Sequence, residues 1–96
     1  MHYITSVEYD TEYRLNLRFE DDSWRLVDLK EHLDGEVFEP LQDVVEFRTA
    51  TLNSDIDTVV WRTGADMSPD FLYDISVPVE VDKVLMVAEE QESYGG

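Results

Sequence analysis

Residues 13–29, YRLNLRFEDDSWRLVDL, decide the fold of this chain because they contain two strand-like segments around an acidic turn. The odd-numbered positions from Tyr13 to Phe19 are apolar and the even-numbered positions are polar. This is the two-residue period of a strand that is buried on one face. Residues 24–29 are again rich in aromatic and aliphatic side chains. The stretch therefore predicts an antiparallel hairpin with one buried face.

The length of the turn sets the register of this hairpin. A two-residue turn at residues 21–22 places three pairs opposite one another: Phe19 and Trp24, Arg18 and Arg25, and Leu17 and Leu26. Like charges that face each other are unfavourable by up to about 1 kcal/mol. Two interpretations remain. Carboxylates from neighbouring segments neutralise the two arginines, or the arginines form a small basic patch for a carboxylate of a partner or of the chain's own acidic tail.

A further strand precedes this hairpin. Tyr3, Val7 and Tyr9 share a parity, and the sequence DTE at residues 10–12 is suited to a short loop. A three-residue loop sets Glu8 against Arg14. The first three strands are thus predicted to form an antiparallel meander.

The middle of the chain has a different period. Apolar residues between Pro40 and Arg48 recur three and four positions apart, and proline is well tolerated in the first turn of a helix. Residues 40–48 therefore predict one short helix. The segment LKEHLDG before it ends in Gly35, which is suited to the left-handed conformation that closes a single helical turn.

A second hairpin completes the predicted sheet. Residues 49–52 and 58–61 are rich in β-forming residues and flank the polar sequence NSDID. The sequence as a whole predicts an α+β fold, with a small antiparallel sheet and two or three short helices. The sheet consists of a meander of three strands plus the second hairpin.

The sequence WRTGADMSPDF, residues 61–71, leads from this hairpin into a last helix. Ser68 is suited to the N-cap and Pro69 to the first helical position. The buried side of the helix is predicted to carry Phe71, Leu72 and Ile75. Asp66 has no structural role in this interpretation. The segment is either a structural corner or a functional loop with a site near Trp61 and Asp66.

Several segments resemble one small bacterial family. Five segments are similar in order and spacing to the family known as domain of unknown function twenty-four forty-two. They are the opening MHYITSVEY, the hairpin YRLNLRFEDDS, the sequence VDL at residues 27–29, GEVFEPLQD and VVWRTGADMSPDFLYDI. The resemblance covers residues 1–75 and implies a single α+β domain without a catalytic motif. Members are often encoded beside a small toxin-like protein and some are fused to a helix-turn-helix domain, which implies an antitoxin-like protein or a regulatory adaptor.

This chain departs from the family at two turns. The family tends to have glycine where this chain has Ser23 and Asp57. These turns can therefore differ in type, which leaves the strand register open.

The charge of the chain argues against several partners. The chain has 23 acidic and 7 basic residues, which gives a formal net charge of −16 at pH 7. Such a field repels nucleic-acid phosphates and anionic lipid headgroups, so we expect neither direct nucleic-acid binding nor membrane binding. The first residues do not resemble a signal peptide, and the longest purely apolar run, residues 84–88, is too short to span a bilayer. We expect a cytoplasmic protein whose acids either confer solubility or steer it toward a basic partner.

No group of residues predicts catalysis, a metal or a cofactor. The chain has no cysteine and no serine-nucleophile elbow, P-loop or HExxH motif. His2 lies at a terminus that is expected to fray, and His32 lies in a polar turn, so both are predicted to be ordinary surface histidines. We therefore predict that the protein is not an enzyme.

One acidic spacing resembles the start of a calcium loop. Asn53, Asp55 and Asp57 alternate as its first ligands do. The motif then requires glycine and glutamate at positions where this chain has Thr58 and Gly64. A solvated hairpin loop is the preferred interpretation.

The C-terminal extension, residues 76–96, lies outside the resemblance. Valines alternate from Val77 to Val81, and Pro78 cannot donate a backbone hydrogen bond, so a strand here belongs at the edge of a sheet. An apolar cluster follows, and the end EEQESYGG has the composition of a disordered segment. The extension either completes the core or is an arm that pairs with another chain, in which case it is the predicted contact of a homodimer.

These observations lead to two hypotheses. The first is a small, acidic, non-catalytic protein-binding module, antitoxin-like, that masks a more basic partner. The second is a small-ligand-binding domain or enzyme with a site near Trp61 and Asp66. The residues predicted to contact a partner are Arg18, Arg25, Trp61, Asp66, Val79, Val81, Leu85 and Met86.

Overall fold

In a computed structural model, which describes residues 1–79, the chain forms six strands and two α-helices within that range. The strands are β1 (Ile4–Tyr9), β2 (Arg14–Phe19), β3 (Trp24–Asp28), β4 (Thr51–Asn53), β5 (Thr58–Val60) and β6 (Val77–Val79). The helices are α1 (Val44–Phe47) and α2 (Pro69–Ile75), and 3-10 turns lie at Lys30–His32 and Glu39–Gln42.

The main sheet is antiparallel and has the strand order β1-β2-β3-β6. Its first three strands are the predicted meander, which is confirmed. β6 pairs with β3 and adds a fourth strand that the predicted meander did not include. β4 and β5 form the predicted second hairpin, but the prediction that it belongs to the same sheet as the meander is wrong, because the two strands pair with each other as a separate two-stranded sheet. The fold is therefore α+β, and its strand and helix counts differ from those predicted.

The core lies on one face of the main sheet, which we call the inner face. The side chains of Leu15, Leu17, Phe19 and Val27 on this face are fully buried. The predicted alternation of buried and polar residues along β2 is thus confirmed. The second hairpin, the helices and the connecting segments cover this face with Leu41, Phe47, Val59, Trp61, Met67 and Leu72.

The turn between β2 and β3 contains three residues, so the predicted register is wrong. The backbone N–H of Phe19 donates to the carbonyl of Ser23 at 3.0 Å, which leaves residues 20–22 as the loop. A two-residue type I′ turn requires a positive φ at both central positions. Of Asp21 and Asp22 only the second is left-handed, with φ 65°. The pairing along this hairpin consequently shifts by one position.

The shift separates the two arginines that the sequence placed face to face. Leu17 lies opposite Arg25, and Arg18 lies opposite Trp24. Directly opposite residues share one face of a sheet. Arg25 is therefore on the inner face and Arg18 is on the other face, which we call the outer face.

The hairpin of β1 and β2 also differs from its prediction. Glu8 lies opposite Asn16 and not opposite Arg14. An irregularity in β1 directly after Ile4 shifts the parity of the strand, so Ile4 is buried and Tyr3 is exposed.

The predicted helix over residues 40–48 is divided in two by Asp43. This residue has an extended backbone, with φ −79° and ψ 118°. Its carboxylate accepts a hydrogen bond from the backbone N–H of Val45 at 2.9 Å. Aspartate in this arrangement caps a new helix, so residues Glu39–Gln42 form a 3-10 turn and α1 begins after Asp43.

Two turns depend on left-handed backbone. Gly35 has φ 89°, as predicted. Asp57 has φ 56° at the end of the β4–β5 loop, where its N–H donates to the carbonyl of Asn53 at 2.8 Å. Aspartate adopts this conformation more readily than most residues. The hairpin therefore closes without a glycine at position 57.

Candidate functional site

An open groove of about 400 Å³ is the candidate site. One wall comes from the first 3-10 turn and the loop that follows it, and the other wall comes from the segment that leads into α2. The residues that line the groove are His32, Asp34, Phe38, Asp66, Met67, Ser68 and Phe71.

Buried hydrogen bonds hold the second wall in place. The hydroxyl of Thr58 donates to the carbonyl of Met67 at 2.6 Å in the interior. One residue earlier, Asp66 forms an isolated antiparallel bridge with Val60. The second hairpin thus fixes the backbone of this wall, and the exposed side chain of Asp66 lies at the groove.

An aromatic residue of α2 forms part of the same wall. Phe71 is 38% exposed, and its ring meets the ring of His32 edge to face with centroids 5.4 Å apart. The prediction that Phe71 is buried is therefore wrong. Leu72 is fully buried and Ile75 packs against the core. These two residues are three positions apart and share one side of the helix, which leaves Phe71 beside the core and next to the groove.

The groove combines apolar walls with carboxylates. Asp34 and Asp66, one on each wall, are exposed, and among the described residues no lysine or arginine lines the groove. Lysine and arginine side chains pack their aliphatic stems on apolar surface and place their charge beside carboxylates or aromatic faces. The groove can therefore accept a basic side chain more readily than an acidic one.

Trp61 does not belong to this site. Its side chain is 2% exposed and lies in the core, and its indole N–H donates to the carbonyl of Phe47 at 3.0 Å. A buried indole needs such an acceptor for its single donor. The structure therefore separates the two residues of the predicted site, since it keeps Asp66 at the surface and places Trp61 inside.

Arg25 binds the end of α2. Its Nε donates to the hydroxyl of Ser76 at 2.6 Å, and a terminal nitrogen donates to the Ser76 carbonyl at 3.0 Å. The guanidinium carbon also lies 4.0 Å from the centroid of the Tyr73 ring. Arg25 is thus engaged within the fold, as a cation that caps the C-terminal end of a helix.

Of the remaining predicted contact residues, Arg18 and Val79 lie on the outer face. Arg18 forms an ion pair with Asp22 at 3.1 Å. Val79 lies opposite Trp24, two positions from Arg18 across the sheet, at the end of β6. The other predicted contacts, Val81, Leu85 and Met86, lie outside the described residues.

His2 is held in place and does not lie on a frayed terminus, so that prediction is wrong. Its ring stacks on Tyr73 with centroids 3.7 Å apart, and Nδ1 lies 3.0 Å from a carboxylate oxygen of Glu20. The same carboxylate accepts a hydrogen bond from the backbone N–H of Tyr3 at 2.9 Å. That bond, together with the contact to His2, lowers the pKa of Glu20. The first residues are thereby tied to α2.

Internal pairs engage much of the basic charge. Arg14 pairs with Asp28 at 3.3 Å. Arg62 donates two hydrogen bonds to Glu46, at 2.9 and 2.6 Å, and this bidentate contact lowers the pKa of Glu46. Arg18 is paired as well. Because the described residues include many more acids than bases, most of their carboxylates lie outside these pairs.

The calcium-like spacing forms a turn. The side-chain oxygen of Asn53 accepts a hydrogen bond from the backbone N–H of Asp55 at 2.9 Å, so it closes the loop. Within residues 1–79, no cluster of three histidine or acidic side chains has the geometry to hold a metal ion.

The fold and the groove define a small α+β protein with an acidic surface groove. The family model described as "Protein of unknown function (DUF2442)" matches residues 4–78, from the start of β1 into β6. The chain therefore belongs to this family, which confirms the resemblance seen in the sequence. No curated protein and no solved structure matches the chain. In the part of the chain that the structure describes, no helix has the length and apolar character needed to cross a bilayer.

Proposed function

We propose that this protein is a cytoplasmic, non-catalytic binding module that docks a more basic partner protein in the groove between Asp34 and Asp66. The observation that carries the proposal is the composition of the groove. It offers apolar surface for the stem of a lysine or arginine and a carboxylate on either side for the charge.

The charge distribution supports the same proposal. The formal net charge of −16 provides long-range attraction for a basic protein, which raises the rate of encounter by roughly 10- to 1000-fold. Near the groove, Phe38 and Phe71 provide the aromatic contact area that anchors protein interfaces. Steering and anchoring thus favour the same class of partner.

The family resemblance supports an antitoxin-like role. Members are often encoded beside a small toxin-like protein, and a basic neighbour of this kind is the partner that the groove would accept. Binding would mask the basic surface of the neighbour. The chain would then act by occupying that surface, without a chemical step of its own.

The experiment is a comparison of two double variants. We expect the Asp34→Asn/Asp66→Asn variant to bind the protein encoded by the adjacent gene about tenfold more weakly than the parent does. The reason is the loss of two charge contacts, one on each wall of the groove. The matched control, Asp10→Asn/Asp55→Asn, removes two exposed acids outside the groove and should bind within about twofold of the parent. Isothermal titration calorimetry measures both affinities.

Three results would count against the proposal. The first is an adjacent gene product without excess positive charge. The second is equal loss of affinity in both double variants, which would mean that only the overall field matters. The third is an affinity that does not fall as the salt concentration rises, because rim charges are screened by salt.

A second candidate function is the binding of a small cationic ligand in the same groove. Its volume of about 400 Å³ lies within the range of small-molecule sites, which is roughly 300–1,000 Å³. A thermal-shift measurement with small amines, such as putrescine and spermidine, tests this alternative. A saturable rise in melting temperature that is lost in the Asp34→Asn/Asp66→Asn variant would favour it over the protein partner.

A further inference from the structure

The outer face of the main sheet carries an apolar strip. Trp24 lies opposite Val79 and Leu26 lies opposite Val77, so the four side chains form two adjacent pairs across β3 and β6. Val77 is 56% exposed, and the other three are partly buried. Within residues 1–79, none of the four is packed against the hydrophobic core, which lies on the inner face.

The charges around this strip are balanced, in contrast to those of the groove. Arg14 on β2 pairs with Asp28, and Arg18 pairs with Asp22. The Nε atom of Arg18 is buried and has no hydrogen-bond partner among the described residues. A buried donor without an acceptor is destabilising. The rest of the Arg18 side chain is partly exposed, so the surface around the strip favours an apolar occupant that also brings an acceptor for this guanidinium group.

We propose that the outer face is a docking surface for residues 81–88 of the same chain. These residues, VDKVLMVA, are mainly apolar, and acidic residues lie at position 82 and at positions 89 and 90. The strip thus has an occupant with matching chemistry, because the apolar run covers the strip and a flanking carboxylate accepts from Arg18.

The place where β6 ends supports this occupant. Val79 belongs to the strip, and residues 80–96 follow it directly. Neighbouring strands are about 4.8 Å apart and an extended chain advances about 3.3 Å per residue, so a few residues suffice to reach from β6 to β2. Attachment at Val79 also gives the segment an effective concentration in the millimolar range.

The alternative occupants have less support. Pairing of two copies through the open edge of β6 would meet Pro78, which has no N–H to donate. Two copies, each with a formal net charge of −16, would also repel each other. A second copy and a separate partner protein are therefore outcomes that the experiment must distinguish.

The experiment uses the full chain labelled with 5-fluorotryptophan and observed by fluorine NMR. The chain has two tryptophans, Trp24 on the outer face and Trp61 in the core, and a Trp24→Phe variant assigns the two signals. A soluble neutral gadolinium chelate broadens each signal according to its exposure. Because Trp61 is 2% exposed, its signal reports whether each variant is folded.

The Leu85→Asp/Met86→Asp variant should release the segment from the strip. We expect the broadening of the Trp24 signal to increase severalfold relative to the parent, with the Trp61 signal unchanged. The matched control, Gln91→Asp/Ser93→Asp, adds the same charge outside residues 81–88 and should behave as the parent does. On the face itself, Val77→Glu should reproduce the effect, whereas Val45→Glu, at a valine of similar exposure on α1, should not.

Each other outcome overturns the proposal. Equal broadening of Trp24 in the parent and in the Leu85→Asp/Met86→Asp variant means that these residues do not cover the strip. Protection of Trp24 that increases with protein concentration, together with a doubled mass in sedimentation equilibrium, assigns the strip to a second copy. Protection that appears only when the adjacent gene product is added assigns it to a partner. The affinities of the groove variants are measured independently of these signals, so failure of this proposal and failure of the proposed function are distinguishable.

Discussion

Replacing Phe47 with alanine should lower the free energy of unfolding by about 3–5 kcal/mol, which is the range for the loss of a buried phenylalanine. Phe47 is fully buried at the end of α1, and its ring lies 5.4 Å from Tyr13 and 5.8 Å from Trp61, centroid to centroid. Its carbonyl also accepts the indole N–H of Trp61. The cavity would therefore loosen the contact between the helices and the sheet. Urea unfolding followed by circular dichroism measures the change.

The control for this prediction lies two residues away on the same helix. Val45 is 60% exposed, so Val45→Ala should change the free energy of unfolding by no more than about 0.5 kcal/mol. A loss below about 1 kcal/mol for Phe47→Ala would contradict the prediction. It would mean that α1 is not packed on the sheet as described.

Replacing Arg25 with methionine should lower the free energy of unfolding by roughly 2 kcal/mol, because hydrogen bonds to a charged group are stronger than neutral ones. The change removes the two hydrogen bonds to Ser76 and the cation–π contact with Tyr73. Methionine keeps most of the aliphatic stem, so the loss reports the guanidinium group. Thermal and urea unfolding measure the effect.

Arg14→Met is the matched control for Arg25. Arg14 also lies on the main sheet, but both members of its pair with Asp28 are about half exposed, at 48% and 50%. Exposed pairs contribute at most about 1 kcal/mol. Equal losses in the two variants would mean that Arg25 does not act as a cap for α2. Neither arginine lines the groove, so both variants should retain the affinity of the parent for a partner there.

The strands of the meander could be predicted because one face of each is buried. Between Tyr13 and Phe19 the alternation of apolar and polar residues follows directly from the pleat of a strand. The register could not be predicted, because it depends on whether one or both aspartates of the turn adopt positive φ. Aspartate can adopt either conformation, and this turn has no glycine that would favour one of them.

The prediction of one helix over residues 40–48 was wrong for a related reason. The apolar spacing in this segment is that of a helix, but it is equally compatible with two short turns in succession. Asp43 can lie within a helix or cap one, and here its side chain caps α1 by accepting a hydrogen bond from the backbone N–H of Val45. Local hydrogen bonds of this kind override a periodicity that extends over only nine positions.

One wall of the groove was identifiable in the sequence and the other was not. Asp66 could be identified as a candidate because its neighbours in the sequence have predicted structural roles and it has none. Asp34 and Phe38 come from a segment about thirty residues away, and their approach to Asp66 depends on how the loops pack on the core. The only local sign was an aromatic residue close to Gly35 among acidic residues, and this pattern is common in loops.

The placement of the two tryptophans, like the second wall of the groove, could not be predicted from the sequence. Trp61 was predicted to lie near the site because it is next to a candidate loop, but its indole N–H donates to the Phe47 carbonyl in the interior. Trp24 was predicted to lie opposite Phe19, and the shift of one position places it opposite Arg18 on the outer face. The conformation of a single turn therefore decides whether Trp24 lies on the face that is available for contact.

The most direct test of the groove is a map of the partner contact on the labelled chain. The 15N-labelled protein is titrated with the adjacent gene product, and the backbone amide signals are followed by two-dimensional NMR. The largest changes should lie at Asp34, Asp66 and Phe71, on the two walls of the groove. Changes confined to Trp24 and Val77 on the outer face, or no changes with an equimolar basic neighbour, would contradict the proposed function.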